Sequence, residues 1–376
     1  MKEKFRTGHI LKILEAYEKE NIPADIFLSN YFRKNKAIGS KDRKYIAENI
    51  YLLIRWKGLI DYFVNKPICR KKRLDILSSL NIEEEIKNKD IPSHVRVSFP
   101  KKYFDRIKKD YGEKKAEEIC LISNSVAPTV IRANIVKVTR EKLFNILSEK
   151  YDITKCSDSS SGIIFNKKIN FFISEEFKNG FFEVQDEGSQ LIAELVSPTS
   201  SSAHVLDYCA GSGGKTLAFA HNLQNKGQIY LHDVRERALI EAKKRLKRAG
   251  IQNAQIVLPH EIERKIKKGT MDWILLDVPC SGSGTLRRNV DMKWKFNFDT
   301  FEDLIETQRE IFDKAIPYLK PNGYIVYATC SIFAYENEKQ INYFLKKYPF
   351  KLKKSISWLP KYNEKDGFFG AILKKT

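Results

Sequence analysis

The sequence predicts an α/β fold of the Rossmann-like type, and three observations support this prediction. Beyond Gly180, apolar runs of strand length alternate with amphipathic helical patterns, which is typical of a doubly wound parallel sheet. The first of these strands ends in a glycine-rich turn at 209–216. Two later strands end near Asp277 and Tyr327, and a cysteine follows each within three residues. Because ligands bind at the carboxyl ends of strands in such sheets, we expect the chemistry of this protein at that edge.

The individual elements of the sheet follow from the same patterns. The predicted strands lie at 204–208, 228–231, 254–258, 273–277 and 324–327, and the predicted helices at 190–196, 217–223, 235–249 and 300–319. This order of elements implies right-handed βαβ connections.

Two smaller parts precede this domain, which we place at 181–376. Apolar residues recur at helical spacing over the first 64 residues, which predicts an all-helical module at 1–75, followed by a connector at 76–100. Residues 101–180 predict a small α+β subdomain. Its predicted elements are a helix that continues past Gly112, a helix at 140–150, and strands at 129–134, 162–165 and 170–173.

The composition favours a polyanionic partner. The 376 residues carry a formal net charge of +20, and lysines are spread through every region of the chain. A field of this sign favours nucleic acid and makes binding salt-sensitive, although a generally basic surface remains the alternative. No window approaches an apolar membrane span, and the N-terminus lacks a signal-peptide pattern. We therefore expect no membrane partner, and the scattered cysteines are consistent with a reducing cytoplasm. We also expect a monomer.

The six cysteines are far apart, at positions 69, 120, 156, 209, 280 and 330. They form no CxxC pair and no histidine has matching spacing, so we expect neither a metal site nor a secreted disulfide framework. For Cys69, Cys120 and Cys156 we expect the common role of a small buried side chain. Cys280 and Cys330 remain as candidates for catalysis, since each follows a predicted strand.

The glycine-rich turn is a candidate cofactor site, because glycine has no Cβ and lets the backbone approach a ligand closely. Its ending, Gly214-Lys215-Thr216, is also that of a phosphate-binding P-loop, but that motif needs a glycine where this chain has Cys209. The next strand ends near Asp233, which is placed to accept hydrogen bonds from a ribose. A dinucleotide or S-adenosylmethionine would both satisfy this pattern.

The two cysteines at strand ends indicate one particular reaction. Carbon 5 of a pyrimidine is a poor nucleophile, and addition of a thiolate to carbon 6 makes it reactive toward an electrophilic methyl group. The proton on carbon 5 must then leave before the thiolate is eliminated, and a second group near the base can assist. Asp277 is placed to hydrogen-bond the pyrimidine at ring nitrogen 3 and so favour the attack. The cysteines therefore favour S-adenosylmethionine as the cofactor.

Several ordered motifs carry a resemblance to a known family. They lie at 184–190, 277–288, 291–294, 327–331, 336–338 and 366–371. With these motifs, the chain from about residue 100 to its C-terminus resembles the RsmB/NSUN family of RNA 5-methylcytosine methyltransferases. The helical module is similar, more weakly and in a shortened form, to the NusB-like region of the bacterial members. The family also implies an RRM-like, RNA-contacting subdomain at about 100–180.

The resemblance implies a role for each matching residue. Cys330 would be the nucleophile, and Cys280 would help to release the product. Asp277 would lie between cofactor and base, and Lys215 would support this cluster electrostatically. The implied residues of the cofactor site are Cys209, Ala210, Gly211, Ser212, Gly213, Gly214, Lys215, Asp233 and Asp277.

The chain departs from the family pattern at two places. The family has Ala-Pro where this chain has Gly211-Ser212, and we expect the turn to be looser because the fixed φ of proline is lost. The family also has an acidic residue that contacts adenine near 258–261, where this chain has no aspartate. Either Glu261 substitutes for it or adenine is held by packing alone.

The sequence thus predicts an S-adenosylmethionine-dependent enzyme that makes 5-methylcytosine in structured RNA, ribosomal RNA of the 16S type first and transfer RNA second. Arg287 and Arg288 directly follow the cysteine motif and are placed to hold phosphates near the target base. A non-catalytic RNA-binding or assembly factor that retains the fold is an alternative. A DNA methyltransferase is a third alternative. Cys330 and the NusB-like helical module weigh against it, because DNA enzymes attack with the cysteine of the Pro-Cys motif.

Overall fold

The computed structural model describes residues 2–167 and 169–376, except for the side chain of Lys2. The chain divides into two units. Unit 1 contains the residues up to Val126 together with Thr285–Phe298, and unit 2 contains Ala127–Gly284 and Asp299–Thr376. Within the described ranges, no helix combines the length and the apolar character that a membrane crossing requires.

Unit 1 is helical. The helices of its first segment are α1 (Lys2–Tyr17), α2 (Ala24–Lys34), α3 (Ser40–Phe63), α4 (Arg70–Ser79), α5 (Ile82–Glu85), α6 (Ser93–Arg96), α7 (Lys101–Tyr111) and α8 (Glu113–Ser123). Helices α5 and α6 lie within the predicted connector. The single helix predicted across Gly112 is wrong: this residue has a φ of +78° and a ψ of 163°, a conformation open mainly to glycine, and it separates α7 from α8.

A buried lysine fixes the later segment of unit 1 to these helices. Lys293 is 2% exposed, and its ammonium donates to the carbonyl oxygens of Arg55 and Ser98, each at 2.8 Å. It also donates to the side-chain oxygen of Asn124 at 2.5 Å. Three acceptors match the three N–H groups of an ammonium, although burial still lowers the pKa of Lys293 well below its ordinary value. The neighbouring Trp294 remains half-buried.

Unit 2 begins with a four-stranded sheet. Its elements are β1 (Thr129–Ala133), α9 (Arg140–Ser148), β2 (Ile153–Lys155), β3 (Gly162–Phe165), α10 (Glu175–Lys178) and β4 (Phe182–Val184). The strands are antiparallel in the order β2-β3-β1-β4. The strand predicted at 170–173 is wrong, because Phe171–Ile173 forms a 3-10 turn. Phe171 is buried whereas Phe172 and Ile173 are both exposed, which is not the alternation of a half-buried strand.

A larger sheet completes unit 2. The remaining elements of the chain are α11 (Glu187–Ala193), β5 (His204–Asp207), α12 (Gly214–Phe219), β6 (Gln228–His232), α13 (Glu236–Ala249), β7 (Ala254–Val257), α14 (Ile262–Lys265), β8 (Met271–Asp277), α15 (Met292–Lys295, in unit 1), α16 (Phe301–Ala315), β9 (Leu319–Thr329), α17 (Glu338–Lys347), β10 (Phe350–Trp358) and β11 (Phe368–Lys375). The strand order is β10-β11-β9-β8-β5-β6-β7. Strands β5 to β9 are parallel, and β11 and β10 extend the sheet in antiparallel fashion.

This topology confirms the Rossmann-like prediction and locates the ligand-binding edge. The chain adds strands on one side of β5 and then on the other, so the topological switch lies between β5 and β8. Ligands of doubly wound sheets bind at the carboxyl ends of the strands at this point. The sequence patterns predicted neither α17 nor the β10–β11 pair. Strand β10 is an edge strand with mostly exposed side chains, so it lacks the apolar alternation that predicts a strand.

Helices cover both faces of the large sheet. On one face, Phe312 of α16 stacks on Phe344 of α17, with ring centroids 3.8 Å apart and an interplanar angle of 5°. Both side chains have no solvent exposure. This pair belongs to a cluster that also contains residues of β8, β9 and β11. It therefore supports the strands that end at the predicted site.

Replacing Phe312 with alanine should lower the free energy of unfolding of unit 2 by about 3–5 kcal/mol, because it leaves a cavity in a packed core. Thermal unfolding of the variant measures this loss. The matched control is Phe172→Ala, which removes the same atoms from a side chain that is 60% exposed and should change stability by no more than about 0.5 kcal/mol. Equal effects of the two substitutions would contradict the packing described.

Candidate functional site

The two cysteines that follow β8 and β9 meet at one end of the large sheet. These strands are adjacent and parallel, with Asp277 opposite Ala328. The sulfur atoms of Cys280 and Cys330 lie 3.2 Å apart. Both side chains are only partly buried. The structure thus brings together the two thiols that the sequence singled out.

One buried carboxylate holds the two cysteine loops. Glu336 has no solvent exposure, and it accepts hydrogen bonds from the backbone N–H of Ser281 at 2.7 Å and from its hydroxyl at 2.5 Å. The hydroxyl of Ser331 also donates to Glu336. Burial raises the pKa of Glu336, and these bonds to its charged form act in the opposite direction. Since these serines directly follow Cys280 and Cys330, the carboxylate fixes the two thiols relative to each other.

The cysteine loops also pass close to the loop before β11. The N–H of Gly284 donates to the carbonyl of Cys330 at 2.9 Å, and the carbonyl of Gly284 accepts from the N–H of Gly367 at 2.9 Å. A Cβ atom at Gly284 would lie 2.2 Å from the carbonyl oxygen of Gly367. Only glycine therefore fits at position 284 of the cysteine motif.

An ion pair borders the thiols. Lys215, at the start of α12, places its Nζ 2.5 Å from Oδ2 of Asp277. Burial lowers the pKa of Lys215, but the attraction of Asp277 more than offsets this effect, and the pKa is raised overall. The lysine is therefore a fixed positive charge at this edge, where the sequence predicted electrostatic support.

The two thiols differ in acidity. The pKa of Cys330 is lowered, mainly by a hydrogen bond from Cys280 and further by Lys215, although burial acts in the opposite direction. The pKa of Cys280 is raised well above its ordinary value by its bond to Cys330, by burial and by repulsion from Glu336. Because the thiolate is the nucleophilic form of cysteine, this arrangement favours Cys330 as the reactive thiol and Cys280 as the protonated one.

The glycine-rich turn lies between β5 and α12, beside the end of β6. Gly211 and Gly213 have φ angles of +53° and +77°, which favour glycine. The N–H of Gly211 donates to the carboxylate of Asp233 at 2.7 Å. Asp233 is also bound by Arg235, with Nε 3.0 Å from Oδ1. The turn and the acidic residue predicted to share a cofactor are therefore in direct contact.

The polar groups at this edge fit S-adenosylmethionine. Asp207, Asp233 and Asp277 lie at the carboxyl ends of β5, β6 and β8. Asp207 is 1% exposed, and one of its oxygens accepts from Thr216 at 2.6 Å while the other has no hydrogen-bond partner. Burial raises the pKa of Asp207 to about 7. A buried acceptor beside a glycine turn and an acidic strand end suits a ligand with a cationic amino acid part and a ribose.

The structure shows the surroundings of the two places where the chain departs from the family pattern, Ser212 and Glu261. Ser212 is anchored, although we expected the turn to be looser there: Arg245 of α13 donates to its carbonyl at 2.9 Å and to its hydroxyl at 2.7 Å. The carboxylate of Glu261 is bound locally by Arg264 at 2.8 Å and by Lys265 at 2.7 Å. Contact of Glu261 with adenine stays a prediction.

One of the two predicted RNA-contacting arginines is buried. Arg287, in unit 1, is 2% exposed, so its side chain is not on the surface to meet a phosphate, and our prediction for it is corrected. Arg288 is exposed, and its contact with RNA stays a prediction. Neighbouring residues in a turn point in different directions, and the sequence does not show which of the two will be buried.

The other cysteines differ in burial. Cys120 and Cys156 are buried, as expected. Cys69 is exposed at the start of α4, which corrects the prediction of a buried side chain. Cys209 lies in the glycine-rich turn, and burial raises the pKa of its thiol well above the ordinary value. Among residues 2–167 and 169–376, no group of three or more His, Cys, Asp or Glu side chains could hold a metal ion.

Two polar residues that shape the site had no predicted role. Glu336 stood in a motif without any function assigned to it. Gln308 has no solvent exposure, and its amide donates to Glu336 and to the carbonyl of Pro279, each at 3.1 Å. The sequence does contain a signal for the role of Gln308, because this residue lies in the buried stripe of α16 together with Ile305 and Phe312. A polar residue in an apolar helix stripe needs a buried partner.

Two family models match the chain. Residues 194–374 match a family described as 16S rRNA methyltransferase RsmB/F. Residues 99–171 match a domain described as RsmF/B-like and ferredoxin-like. The first match covers most of the large sheet and both cysteine loops.

Curated relatives show the same resemblance. The ribosomal RNA small subunit methyltransferase B of Proteus mirabilis is 33% identical over 287 residues, which cover 74% of this chain and 66% of the relative. The enzyme of the same name from Enterobacter sp. is 30% identical over 311 residues, which cover 78% of this chain and 70% of the relative. The matched region thus spans about two thirds of the length of these relatives.

Solved structures share the fold. A methyltransferase homolog protein from Pyrococcus horikoshii is 26% identical with a TM-score of 0.66, over 76% of this chain and 98% of that structure. The protein PH0851 has a TM-score of 0.80 over 97% of both chains at 24% identity. The second likeness includes the helical residues that precede the sheets.

Replacing Cys280 with alanine removes the hydrogen bond that lowers the pKa of Cys330. We expect alkylation of Cys330 by iodoacetamide at neutral pH to slow by about tenfold for each unit by which this pKa rises. Mass spectrometry of the Cys330 peptide over a pH series measures the rate. The exposed Cys69 in the same samples is the internal control. If the dependence of the Cys330 alkylation rate on pH is the same in Cys280→Ala as in wild type, Cys280 does not lower the pKa of Cys330.

Proposed function

The chain belongs to the RsmB/F family of 16S rRNA methyltransferases, and from this premise we propose that it forms 5-methylcytosine in structured RNA, with 16S-type ribosomal RNA as the first candidate substrate. The observation that carries the proposal is the pair of thiols 3.2 Å apart at the ends of adjacent strands. A reaction that needs one thiol to attack and another to assist release accounts for both of them.

S-adenosylmethionine is the cofactor, and when bound it supplies an electrophilic methyl group to carbon 5 of the base. The residues that would hold it are the turn from Cys209 to Lys215 and the two carboxylates Asp233 and Asp277. These groups supply backbone N–H donors, carboxylate acceptors and negative charge at the carboxyl ends of the strands. This is the combination that a cationic cofactor with a ribose requires.

Cys330 forms the covalent bond to the base. Its thiolate attacks carbon 6 of the cytosine, and the electron pair of the carbon 5–carbon 6 double bond moves toward carbon 5 and the conjugated ring nitrogen 3, which takes a proton from solvent. The carboxylate of Asp277 would accept a hydrogen bond from the N–H formed at nitrogen 3. Lys215 stabilises the thiolate before the attack, because its positive charge lowers the pKa of Cys330.

Cys280 completes the reaction. After carbon 5 has gained the methyl group, its proton must leave so that the double bond can form again and the sulfur of Cys330 can depart. A basic group close to Cys330 can take that proton, and Cys280 is the side chain whose sulfur lies next to it. Once Cys330 is bonded to the base, its negative charge is lost, which removes one cause of the raised pKa of Cys280. The Cys280 thiol then releases its proton to solvent, and the thiolate that remains takes the proton from carbon 5.

RNA is the substrate class that the charge of the protein supports. The net charge of +20 favours a polyanion, and the similar proteins of Proteus mirabilis and Enterobacter carry names that refer to small-subunit ribosomal RNA. Transfer RNA is the second candidate. The target base must leave its stack to reach the thiols, at a cost of a few kcal/mol, which favours a loop or an already unstacked cytosine. A non-catalytic assembly role would not need both thiols and the Lys215–Asp277 pair.

Replacing Cys330 with alanine should abolish 5-methylcytosine formation, because the neighbouring thiol of Cys280 has a raised pKa and is reserved for the release step. Bisulfite sequencing of total RNA from cells that lack the gene, complemented with wild type or variant, measures the product and identifies the RNA. Cys69→Ala is the control, since this cysteine is exposed and lies in unit 1, and it should restore full methylation. If the site that loses methylation in cells lacking the gene is methylated again in the Cys330→Ala cells, Cys330 is not the nucleophile.

Replacing Cys280 with alanine should trap the enzyme on its RNA, because the proton on carbon 5 is no longer removed efficiently. With S-adenosylmethionine and ribosomal RNA, we expect a slowly migrating band in denaturing gels that disappears after ribonuclease treatment. The double variant Cys280→Ala/Cys330→Ala is the matched control and should form no such band. If folded, cofactor-bound Cys280→Ala protein forms no adduct, the release role is wrong.

A further inference from the structure

We propose that Arg245, oriented by the buried Glu183, is a positioning residue that fixes the glycine-rich turn at Ser212 for cofactor binding. The inference rests on the proposed function only in that this turn binds S-adenosylmethionine. It assigns a role to two residues outside all the motifs described above.

Arg245 bridges the turn and the four-stranded sheet. Its Nη1 donates to the carbonyl of Ser212 at 2.9 Å and to the hydroxyl of Ser212 at 2.7 Å. Its Nε and Nη2 lie 3.2 and 3.1 Å from the same carboxylate oxygen of Glu183. One guanidinium therefore uses one side for the turn and the other for an acidic anchor.

Glu183 is a rigid anchor. It lies on β4, which pairs with β1, and its side chain is 4% exposed. Arg248, one turn further along α13, binds its second carboxylate oxygen at 2.5 Å. A buried carboxylate that is bound by two guanidinium groups has little freedom to move, so it holds Arg245 in a single orientation.

The turn needs such an external contact because of its own sequence. Ser212 lies between Gly211 and Gly213, both of which have positive φ and no Cβ to restrict the backbone. A segment of this kind loses conformational entropy when it closes on a ligand. The contact from Arg245 reduces that loss by ordering Ser212 in advance, as a residue with a fixed φ would.

Strand β4 also leads to a second contact with the same turn. Gln185 directly follows β4, and its amide donates to the carbonyl of Gly214 at 3.2 Å. The guanidinium of Arg132, on β1, donates to this carbonyl at 3.1 Å. Residues of the four-stranded sheet thus support both ends of the segment from Ser212 to Gly214. At Gly214 the contacts are direct, and at Ser212 they pass from Glu183 through Arg245.

Replacing Arg245 with methionine should weaken binding of S-adenosylmethionine by about 5- to 20-fold, the effect of losing hydrogen bonds from a charged donor. Isothermal calorimetry with the full chain and S-adenosylmethionine alone measures the affinity. The matched control is Arg248→Met, which removes the same charge and a bond to the same Glu183 but no contact with Ser212. In the control, Glu183 stays buried on β4 and keeps both of its bonds to Arg245. We therefore expect Arg248→Met to bind within twofold of wild type, while its melting temperature changes about as much as that of Arg245→Met.

A double-variant cycle separates positioning from general stability. Ser212→Ala removes the hydroxyl contact and should weaken binding in the wild-type background, but should add nothing in the Arg245→Met background. Equal losses for Arg245→Met and Arg248→Met, or additive losses in the cycle, would reduce Arg245 to a structural role and overturn the proposal. Wild-type affinity in Arg245→Met would overturn it as well.

The experiment also distinguishes this proposal from the proposed function. Binding is measured without RNA, so a failure of the positioning role appears as an unchanged affinity. If the 5-methylcytosine assignment is wrong, the wild type still binds S-adenosylmethionine tightly, but bisulfite sequencing detects no site that depends on the protein. A wild-type chain that does not bind S-adenosylmethionine would overturn the cofactor assignment and the role of Arg245 together.

Discussion

The candidate active site depends on the buried carboxylate of Glu336. Its partners are hydroxyls, a backbone N–H and a side-chain amide, and these groups belong to the two cysteine loops and to α16. A carboxylate without solvent is costly unless its hydrogen bonds are made. The hydrogen bonds of Glu336 are complete only when both cysteine loops are in place. The carboxylate therefore couples the positions of the two loops and so fixes the distance between the two thiols.

Charges of both signs are concentrated at the same edge. Asp207, Asp233 and Asp277 lie at the ends of β5, β6 and β8. Lys215 pairs with Asp277 and lowers the pKa of Cys330, whereas Arg235 pairs with Asp233. The Lys215–Asp277 ion pair therefore connects the proposed cofactor site with the proposed nucleophile.

The segment from Asp277 to Phe298 combines two physical roles. Its first part, up to Gly284, belongs to unit 2 and contains the thiol and the close glycine contact. Its second part, Thr285–Phe298, belongs to unit 1 and contains the buried Lys293 and Asp291, whose carboxylate accepts a hydrogen bond from Tyr17 at 2.6 Å. Charged residues next to the proposed catalytic cysteine can thus be part of the packing rather than contacts to substrate.

The sequence by itself determined the parallel sheet, the glycine-rich turn and the two cysteines at strand ends, because local periodicity and short motifs encode them. Three features were decided only by the tertiary structure. Glu336 accepts hydrogen bonds from Ser281 and Ser331, Arg245 donates to Ser212, and Arg287 is buried. The antiparallel pair β10–β11 belongs to this second group. Each of these features joins residues that are distant in the chain or depends on which way a side chain faces. Local patterns do not contain that information, since it arises when the elements pack.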